Sequence, residues 1–420
     1  MTETSNESDD LSEWVAFATD DFTEPADPRR DPIMWTVVVL ALITVIGVIL
    51  VRPTGAAEEA LERSDVIRQF GFVSDFHEAR VDSVDIAPCE FQPEENCATV
   101  IFELTAGPDL GEFRQQLFPD NASQPRFEVG DAVVLAKIPG GENGFDYQYS
   151  DRQRRPVLLW LTIAFAAAVV VLGGIRGVAA LAGLGGSVAV LLLFVLPAIL
   201  DGRSPVVVAL VGASVIAYLA LYLAHGFSKM THVALLGTLS ALGLTALLSS
   251  LVVSAAELSG LSSEEVFFLI GVETVDVRGL VLAGIVLGAA GALDDVTVTQ
   301  ASAVWELART NPALRMVDLV RSGLRIGRDH IASTVNTLLL AYAGASLPLL
   351  VLLVLTDQSL GATANSEVIA IEIIRTMVGS IGLVAAVPFT TWLAAWYVSR
   401  HGPDKLGDGI HQHGHGVSTG

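Results

Sequence analysis

The sequence predicts an α-helical polytopic membrane protein with about eight spanning helices and a small, mainly-β extracytoplasmic domain between the first two spans. The chain of 420 residues is 52% hydrophobic and only 17% charged, and its mean hydropathy is +0.56. A soluble chain needs more charge than this to cover its core. Charged residues are concentrated in residues 1–31 and 52–155, whereas 156–400 consists mostly of runs of Ala, Val, Leu, Ile and Gly.

The N-terminal part predicts a tail followed by an anchor. Residues 1–32 are acidic and rich in Ser and Thr, which is typical of a disordered segment, here a cytoplasmic one. Residues 33–51 then form an uncharged run of nineteen, close to the roughly 20 needed to cross a bilayer. A cleavable signal peptide has a shorter apolar core and no long acidic leader, so we expect an uncleaved transmembrane helix.

Residues 52–155 have the pattern of a folded β-rich domain outside the cytoplasm. A helix is expected over 57–70, and short strand-like runs separated by Gly- and Pro-containing turns follow it. These features predict a small β-barrel, of OB-like type. The expected strands cover 80–87, 98–104, 113–117 and 128–137.

The two cysteines of the chain, Cys89 and Cys97, lie in this domain. They are too far apart for a redox C-x-x-C pair, and no nearby His or Cys completes a zinc site. A disulfide that closes a short loop on the oxidising side of the membrane fits this spacing. Two unrelated thiols are the alternative.

Residues 156–400 predict the remaining helices of a transmembrane bundle, each close to the length that a bilayer requires. The short apolar stretch 266–270 is interpreted as an interfacial or re-entrant segment. Residues 401–420 form a His-containing cytoplasmic tail. The expected spans are 156–172, 178–200, 205–223, 233–254, 280–300, 331–355 and 377–398.

The distribution of Lys and Arg near the helix ends predicts the orientation. With both termini in the cytoplasm, eleven of these residues lie inside and seven outside. Arg152, Arg154 and Arg155 argue against this orientation, but they follow a long translocated domain, where the rule is weakest. The cysteine pair favours the same topology, with 52–155 outside.

Asp294 and Asp295 are the candidate site residues, because a carboxylate in hydrocarbon is costly and usually serves transport. Helical spacing places Asp295, Thr299, Ser302 and Glu306 on one stripe. Such a stripe offers oxygen ligands for a hard cation, or a proton path. The alternative is that the two carboxylates cap a helix that begins near Val296, and both roles can coexist.

Several segments resemble the YibE/F family of bacterial membrane proteins. The resemblance rests on Gly288–Leu307 (GAAGALDDVTVTQASAVWEL) and Gly327–Gly344 (GRDHIASTVNTLLLAYAG), with further matches at Tyr149–Arg152 and Glu367–Arg375. It covers roughly residues 145–390. The resemblance implies a multi-pass protein of the plasma (inner) membrane and of permease type, without a defined substrate.

Other classes of function lack support in the sequence. The net charge of −22 argues against nucleic acid, which needs clustered Lys and Arg. Nucleotide-binding and catalytic motifs are absent, so we expect no enzyme activity and no cofactor. A weak transition-metal site in the C-terminal tail is a further candidate; its residues are His411, His413 and His415.

The leading hypothesis is therefore a permease-like transporter of a small ion or solute, embedded in the lipid bilayer, that uses the carboxylate pair. The alternative is a membrane scaffold or signalling protein whose outer β-domain binds a partner in the cell envelope. A second copy of the chain is another candidate partner.

Overall fold

The structure, a computed structural model, describes residues 31–55, 75–89, 96–121, 124–139, 145–262, 275–355 and 359–401. Four predictions fall outside these residues: the acidic tail, the helix over 57–70, the short apolar stretch 266–270 and the histidine tail. The described chain forms two compact units, 58–174 and the combination of 1–57 with 175–420.

The smaller unit contains a five-stranded antiparallel sheet. Its strands are β1 (Asp75–Pro88), β2 (Asn96–Leu104), β3 (Phe113–Pro119), β4 (Ala132–Pro139) and β5 (Phe145–Arg152). Their order in the sheet is β3-β2-β1-β4-β5. The long strand β1 pairs with both β2 and β4, and its register with β2 shifts between Val81 and Ser83.

The sheet curls into a half-barrel, in which the side chain of Gln116 on β3 reaches β5. Its Nε2 donates to the carbonyl oxygen of Tyr147, and its Oε1 accepts from the backbone N–H of Tyr149 at 2.9 Å. Alternate residues of the strands fill the interior, among them Phe102 and Leu135, which are fully buried. This arrangement agrees with the predicted small barrel, although β5 was missing from the predicted strands.

Cys89 and Cys97, at the end of β1 and the start of β2, form a disulfide with their Cα atoms 5.0 Å apart. Ala87 pairs with Cys97 in the ladder between these strands. The bond therefore ties together two neighbouring strand ends.

The helices account for the apolar runs of the sequence. They are α1 (Pro32–Leu50), α2 (Arg155–Val190), α3 (Leu196–Leu200), α4 (Pro205–His225), α5 (Lys229–Ala255), α6 (Val277–Thr310), α7 (Met316–Ala345), α8 (Leu347–Leu355), α9 (Leu360–Asn365) and α10 (Glu367–His401). α2 contains a non-helical residue, Gly174, with φ of 57°. A π-helical turn, Leu191–Val195, joins α2 to α3.

Among the described residues, six helices are long and apolar enough to cross a membrane, fewer than the eight spans predicted. Two differences explain the gap. The spans expected over 156–172 and 178–200 form one stretch, Arg155–Leu200. The span expected over 331–355 is divided between α7 and α8. α7 is not among the six apolar helices, because several arginines in its first half make it too polar.

α5, α6 and α10 form the centre of the larger unit, and each packs against the other two. Small residues bring these helices together, and Val296, Leu242 and Leu383 fill the space between them, each fully buried. At one end of the unit Asp31 caps α1, pairs with Lys229 at the start of α5 and accepts a hydrogen bond of 3.1 Å from Tyr397 near the end of α10.

Candidate functional site

Asp294 and Asp295 lie in the middle of one unbroken helix, α6, which runs from Val277 to Thr310. The alternative prediction that they cap a helix beginning near Val296 is therefore wrong. The backbone N–H groups around them are already used by the helix itself, so no free donors remain for a carboxylate to cap.

The two carboxylates point in different directions, because neighbouring residues of a helix are about 100° apart. Asp294 shares the inward side of α6 with Thr297 and Gln300, whose side chains are 0% and 2% exposed. The side chain of Asp295 is 70% exposed, and its Oδ2 lies 3.7 Å from Nε2 of His330 on α7.

The predicted stripe follows Asp295 to the outside of the bundle. Ser302 and Glu306 are exposed, and Thr299 is partly buried. Of the five predicted site residues, the structure thus places Asp294 alone on the inner side of α6. The other four residues lie on a different side of the helix, so they do not form one site with Asp294 inside the bundle.

Asp294 meets a cluster of threonines between α5, α6 and α10. The hydroxyls of Thr238 and Thr297 form a hydrogen bond of 2.7 Å, and Thr297 also donates to the carbonyl oxygen of Asp294 at 3.1 Å. The side chain of Thr238 also lies beside the carboxylate. Oδ1 of Asp294 is inaccessible and has no hydrogen-bond partner among the described residues, which is costly for a carboxylate.

Gly237 on α5 provides the space that completes this cluster. A Cβ at this position would lie 2.2 Å from Oγ1 of Thr390 on α10 and 3.2 Å from Cγ2 of Thr297. Thr390 is 0% exposed, and within the described chain its hydroxyl has no partner. Three helices therefore bring the partly buried Asp294 and three buried threonines into one region, which we call the Asp294 cluster (Asp294, Thr238, Thr297 and Thr390).

Gln300 extends this polar region by one turn towards the end of α6. Its Nε2 donates to the carbonyl oxygen of Gly323 on α7 and to the hydroxyl of Thr391 on α10, both at 2.7 Å. A Cβ on Gly327 would lie 2.8 Å from Oε1 of Gln300. The two glycines therefore let α7 approach α6 closely enough for this contact.

The sequence did not single out Thr238, Thr390 or Gln300. One signal was present: Thr231, Thr238 and Thr245 are spaced by seven residues, so they share one face of α5. All three are buried. A hydroxyl that recurs every seven residues in an otherwise apolar helix indicates a row of polar groups on the face that packs against other helices.

The Asp294 cluster lies deep within the bundle. Thr238 is nine residues beyond Lys229, about 13 Å along α5. Lys229 pairs with Asp31 at the start of α1, and the nineteen residues of α1 are about 28 Å long. The Thr238–Thr297 hydrogen bond is therefore about half-way along the length of the apolar anchor helix.

Within the described ranges, no group of three or more His, Cys, Asp or Glu residues could hold a metal ion. The histidines of the tail, His411, His413 and His415, are outside those ranges. The charged pair Glu372–Arg375 on α10 is a local one, with Oε1 and Nη1 2.7 Å apart. The oxygen-rich Asp294 cluster is thus the best-defined polar site inside the bundle.

A model of the YibE/F-like protein family matches residues 161–400, more than half of the chain. The chain belongs to the YibE/F-like protein family. The resemblance inferred from the Gly288–Leu307 and Gly327–Gly344 motifs is confirmed. No curated protein and no solved structure matches the chain.

The YibE/F-like region includes every residue of the Asp294 cluster and the stripe that starts at Asp295, but none of the five strands. The family assignment and the six long apolar helices together support a membrane protein.

Proposed function

We propose that this YibE/F-like protein is a permease that moves a small cation or a proton through its helical bundle, with Asp294 as the binding group. The observation that supports this most is the Oδ1 atom of Asp294, which is buried among apolar helices without a hydrogen-bond partner in the described chain. The proposal replaces the carboxylate pair with one carboxylate and the hydroxyls of Thr238, Thr297 and Thr390. It includes no chemical conversion and no cofactor.

The chemistry of the cluster suits this role. Carboxylate and hydroxyl oxygens are the ligands that hard cations prefer, and a carboxyl group can also carry a proton. Keeping a carboxylate at this depth costs several kcal/mol unless a cation, a proton or water satisfies it. A purely structural position would be filled at lower cost by an apolar side chain.

We further propose that the protein lies in the plasma membrane, with both termini in the cytoplasm and residues 52–155 outside. Asp31, Lys229 and Tyr397 join the start of α1, the start of α5 and the end of α10 at one end of the bundle. This arrangement agrees with an N-terminus and a C-terminus on the same side. The excess of Lys and Arg on that side supports the cytoplasm.

The test compares two neighbouring substitutions in purified protein reconstituted into liposomes. Asp294→Asn removes the charge of the cluster and keeps its size, whereas Asp295→Asn makes the same change on the exposed side of α6. Uptake is measured with a pH-sensitive dye and with radiolabelled or fluorescent reporters for monovalent and divalent cations. We expect Asp294→Asn to lower the flux at least about tenfold, equal to ~1.4 kcal/mol, and Asp295→Asn to retain most of it.

Two further variants test the hydroxyls. Thr297→Val removes one hydroxyl at nearly constant shape, and Thr297→Ser retains it. We expect the valine variant to raise the concentration of cation needed for half-maximal flux and the serine variant to behave like the wild type. Full flux in Asp294→Asn would refute the role of Asp294.

A second candidate function is the binding of an envelope partner by the β-domain. The half-barrel contains a cavity of about 370 Å³, lined in part by Phe118, Phe127, Arg126 and Glu128. The lining combines apolar side chains with polar and charged ones, and converging polar groups of this kind can orient a bound partner. A photo-reactive residue at position 126 would capture such a partner in intact cells, and its stoichiometric capture together with zero flux in liposomes would favour this function over transport.

A further inference from the structure

Part of the charge on the outer surface of α6 and α7 lies at a depth where a lone subunit would expose it to lipid. On α6 the exposed stripe contains Asp295 and Glu306, and on α7 the exposed side contains Arg321, Arg325 and Arg328. We call this surface the polar face. Its members are Asp295, Thr299, Ser302 and Glu306 on α6, and Arg321, Arg325, Arg328 and Asp329 on α7.

The contacts of Gln300 give the depth of these charges. Gln300 contacts Gly323 and Gly327, so Arg325 lies level with it. Gln300 is three residues, about 5 Å, from Thr297 along α6. Arg325 is therefore about 9 Å inside the end of α1 at Asp31, and Arg328 is about one turn deeper.

Within the described residues several of these charges lack a partner, although Arg321 lies near Asp318 on the same helix. In the described part of the chain, no hydrogen bond or ion pair involves the side chains of Glu306, Arg325 or Arg328. Asp295 has the partly buried His330 as its neighbour. An unpaired charge at the centre of a membrane helix costs about 2.5–3.5 kcal/mol, and less near the helix end, where long side chains reach the interface. A bilayer therefore favours a cover for the deeper part of this face.

We propose that a second copy of the chain covers the polar face in a homodimer with a two-fold axis along the membrane normal. The face is self-complementary, with carboxylates on α6 and guanidinium groups on α7. A two-fold axis between the helices places α6 of each copy opposite α7 of the other at the same depth. Because α6 and α7 run antiparallel beside Gln300, Glu306 lies within about 3 Å of the depth of Arg321, and both residues lie near the level of Asp31 at the end of the bundle.

The proposal does not depend on transport, and it predicts which charges meet. Glu306 of one copy pairs with Arg321 of the other, twice per dimer. The apolar exteriors of α1 and α2 need no such cover, because lipid suits the exposed Leu42 and Trp160. The proposed dimer interface is therefore the more polar side of the bundle. Polar side chains also hold neighbouring helices together in other membrane proteins.

The test is a charge swap in the full chain, with the oligomeric state measured by light scattering in mild detergent and by single-molecule photobleaching in lipid nanodiscs. We expect a dimer for the wild type, at least a tenfold weaker dimer for Glu306→Arg and for Arg321→Glu, and recovery in the double variant. Glu257→Arg is the matched control, since it makes the same charge change at an exposed residue just beyond the C-terminal end of α5.

Cross-linking provides a readout that does not depend on the stability of the charge variants. A cysteine at the exposed Ser302, in the centre of the α6 stripe, is treated in native membranes with a bifunctional maleimide or a membrane-impermeant one. Cross-linked dimers support the proposal. A monomeric wild type, a dimer that Glu306→Arg leaves unchanged, or rapid labelling of position 302 by the impermeant reagent would overturn it, because the face would then line a water-filled entrance.

Discussion

Replacing Gly237 by alanine tests whether α5 and α10 really meet through the Asp294 cluster. The new Cβ would lie 2.2 Å from Oγ1 of Thr390, whereas ordinary contacts begin at 3.4 Å. Thr390 is β-branched and its neighbours are fully packed, so the overlap cannot be removed by a free side-chain rotation. Overpacking of this kind costs about 1–3 kcal/mol.

A second glycine of the same helix separates this cost from the intrinsic effect of alanine. A Cβ on Gly243 would meet nothing within 4 Å. Each Gly→Ala change gains about 0.5–1 kcal/mol from backbone entropy and helix propensity. We therefore expect Gly243→Ala to be neutral or stabilising, and Gly237→Ala to be less stable than Gly243→Ala by about 1–3 kcal/mol.

The assay is thermal unfolding of the purified protein in detergent, followed by differential scanning fluorimetry and by urea titration of the same samples. The decisive variant is Gly237→Ala combined with Thr390→Ala, because removal of the hydroxyl and methyl groups leaves room for the new Cβ. A favourable coupling of at least about 0.5 kcal/mol is expected in this double-mutant cycle. Equal stabilities of Gly237→Ala and Gly243→Ala would refute the packing described for this region.

Three further predictions follow from other contacts. Burial raises the pKa of Asp31, but the hydrogen bond and charge of Lys229 and the hydrogen bond of Tyr397 outweigh it, so the pKa lies below 3.8. The stabilisation is complete above about pH 5 and is lost as the pH falls further. Asp31→Asn should therefore cost about 1–3 kcal/mol at neutral pH and flatten the loss of thermal stability between pH 5 and 3. Gly288→Ala would place a Cβ 2.5 Å from the hydroxyl oxygen of Tyr342, so it should lower the melting temperature, and the addition of Tyr342→Phe should restore it. Reduction of the Cys89–Cys97 bond should destabilise the β-domain by about 2–3 kcal/mol, and a hydrogen-exchange experiment should locate the loss of protection at β1 and β2.

The sequence predicted the elements well where their pattern is local. Apolar runs marked the helices, and the strand expected over 98–104 lies within β2, Asn96–Leu104. β5 was missed, although Tyr147 and Tyr149 alternate with polar residues in the pattern of a half-buried strand. That alternation is short and carries charged residues, so it did not stand out beside the neighbouring Gly-rich turn.

The site was predicted in part, for a reason that lies in helix geometry. Periodicity identifies which residues share a face, and it grouped Asp295 correctly with Ser302 and Glu306. It does not identify which face points inward. The decisive features were the neighbours of Asp294: Leu293, Thr297 and Ala301 are all buried, so the small and apolar residues around Asp294 could have indicated the inner side.

The seven-residue spacing of Thr231, Thr238 and Thr245 restricts how α5 can move. A slide by one turn, about 5.4 Å, would separate Thr238 from Thr297 and set an apolar residue in its place, leaving hydroxyls unpaired at a cost of about 1–3 kcal/mol each. A slide by two turns, about 10 Å, would be needed to restore the pattern. Piston-like motion of this helix is therefore disfavoured, and any opening of the bundle has to tilt α5 together with the helices that its threonines touch.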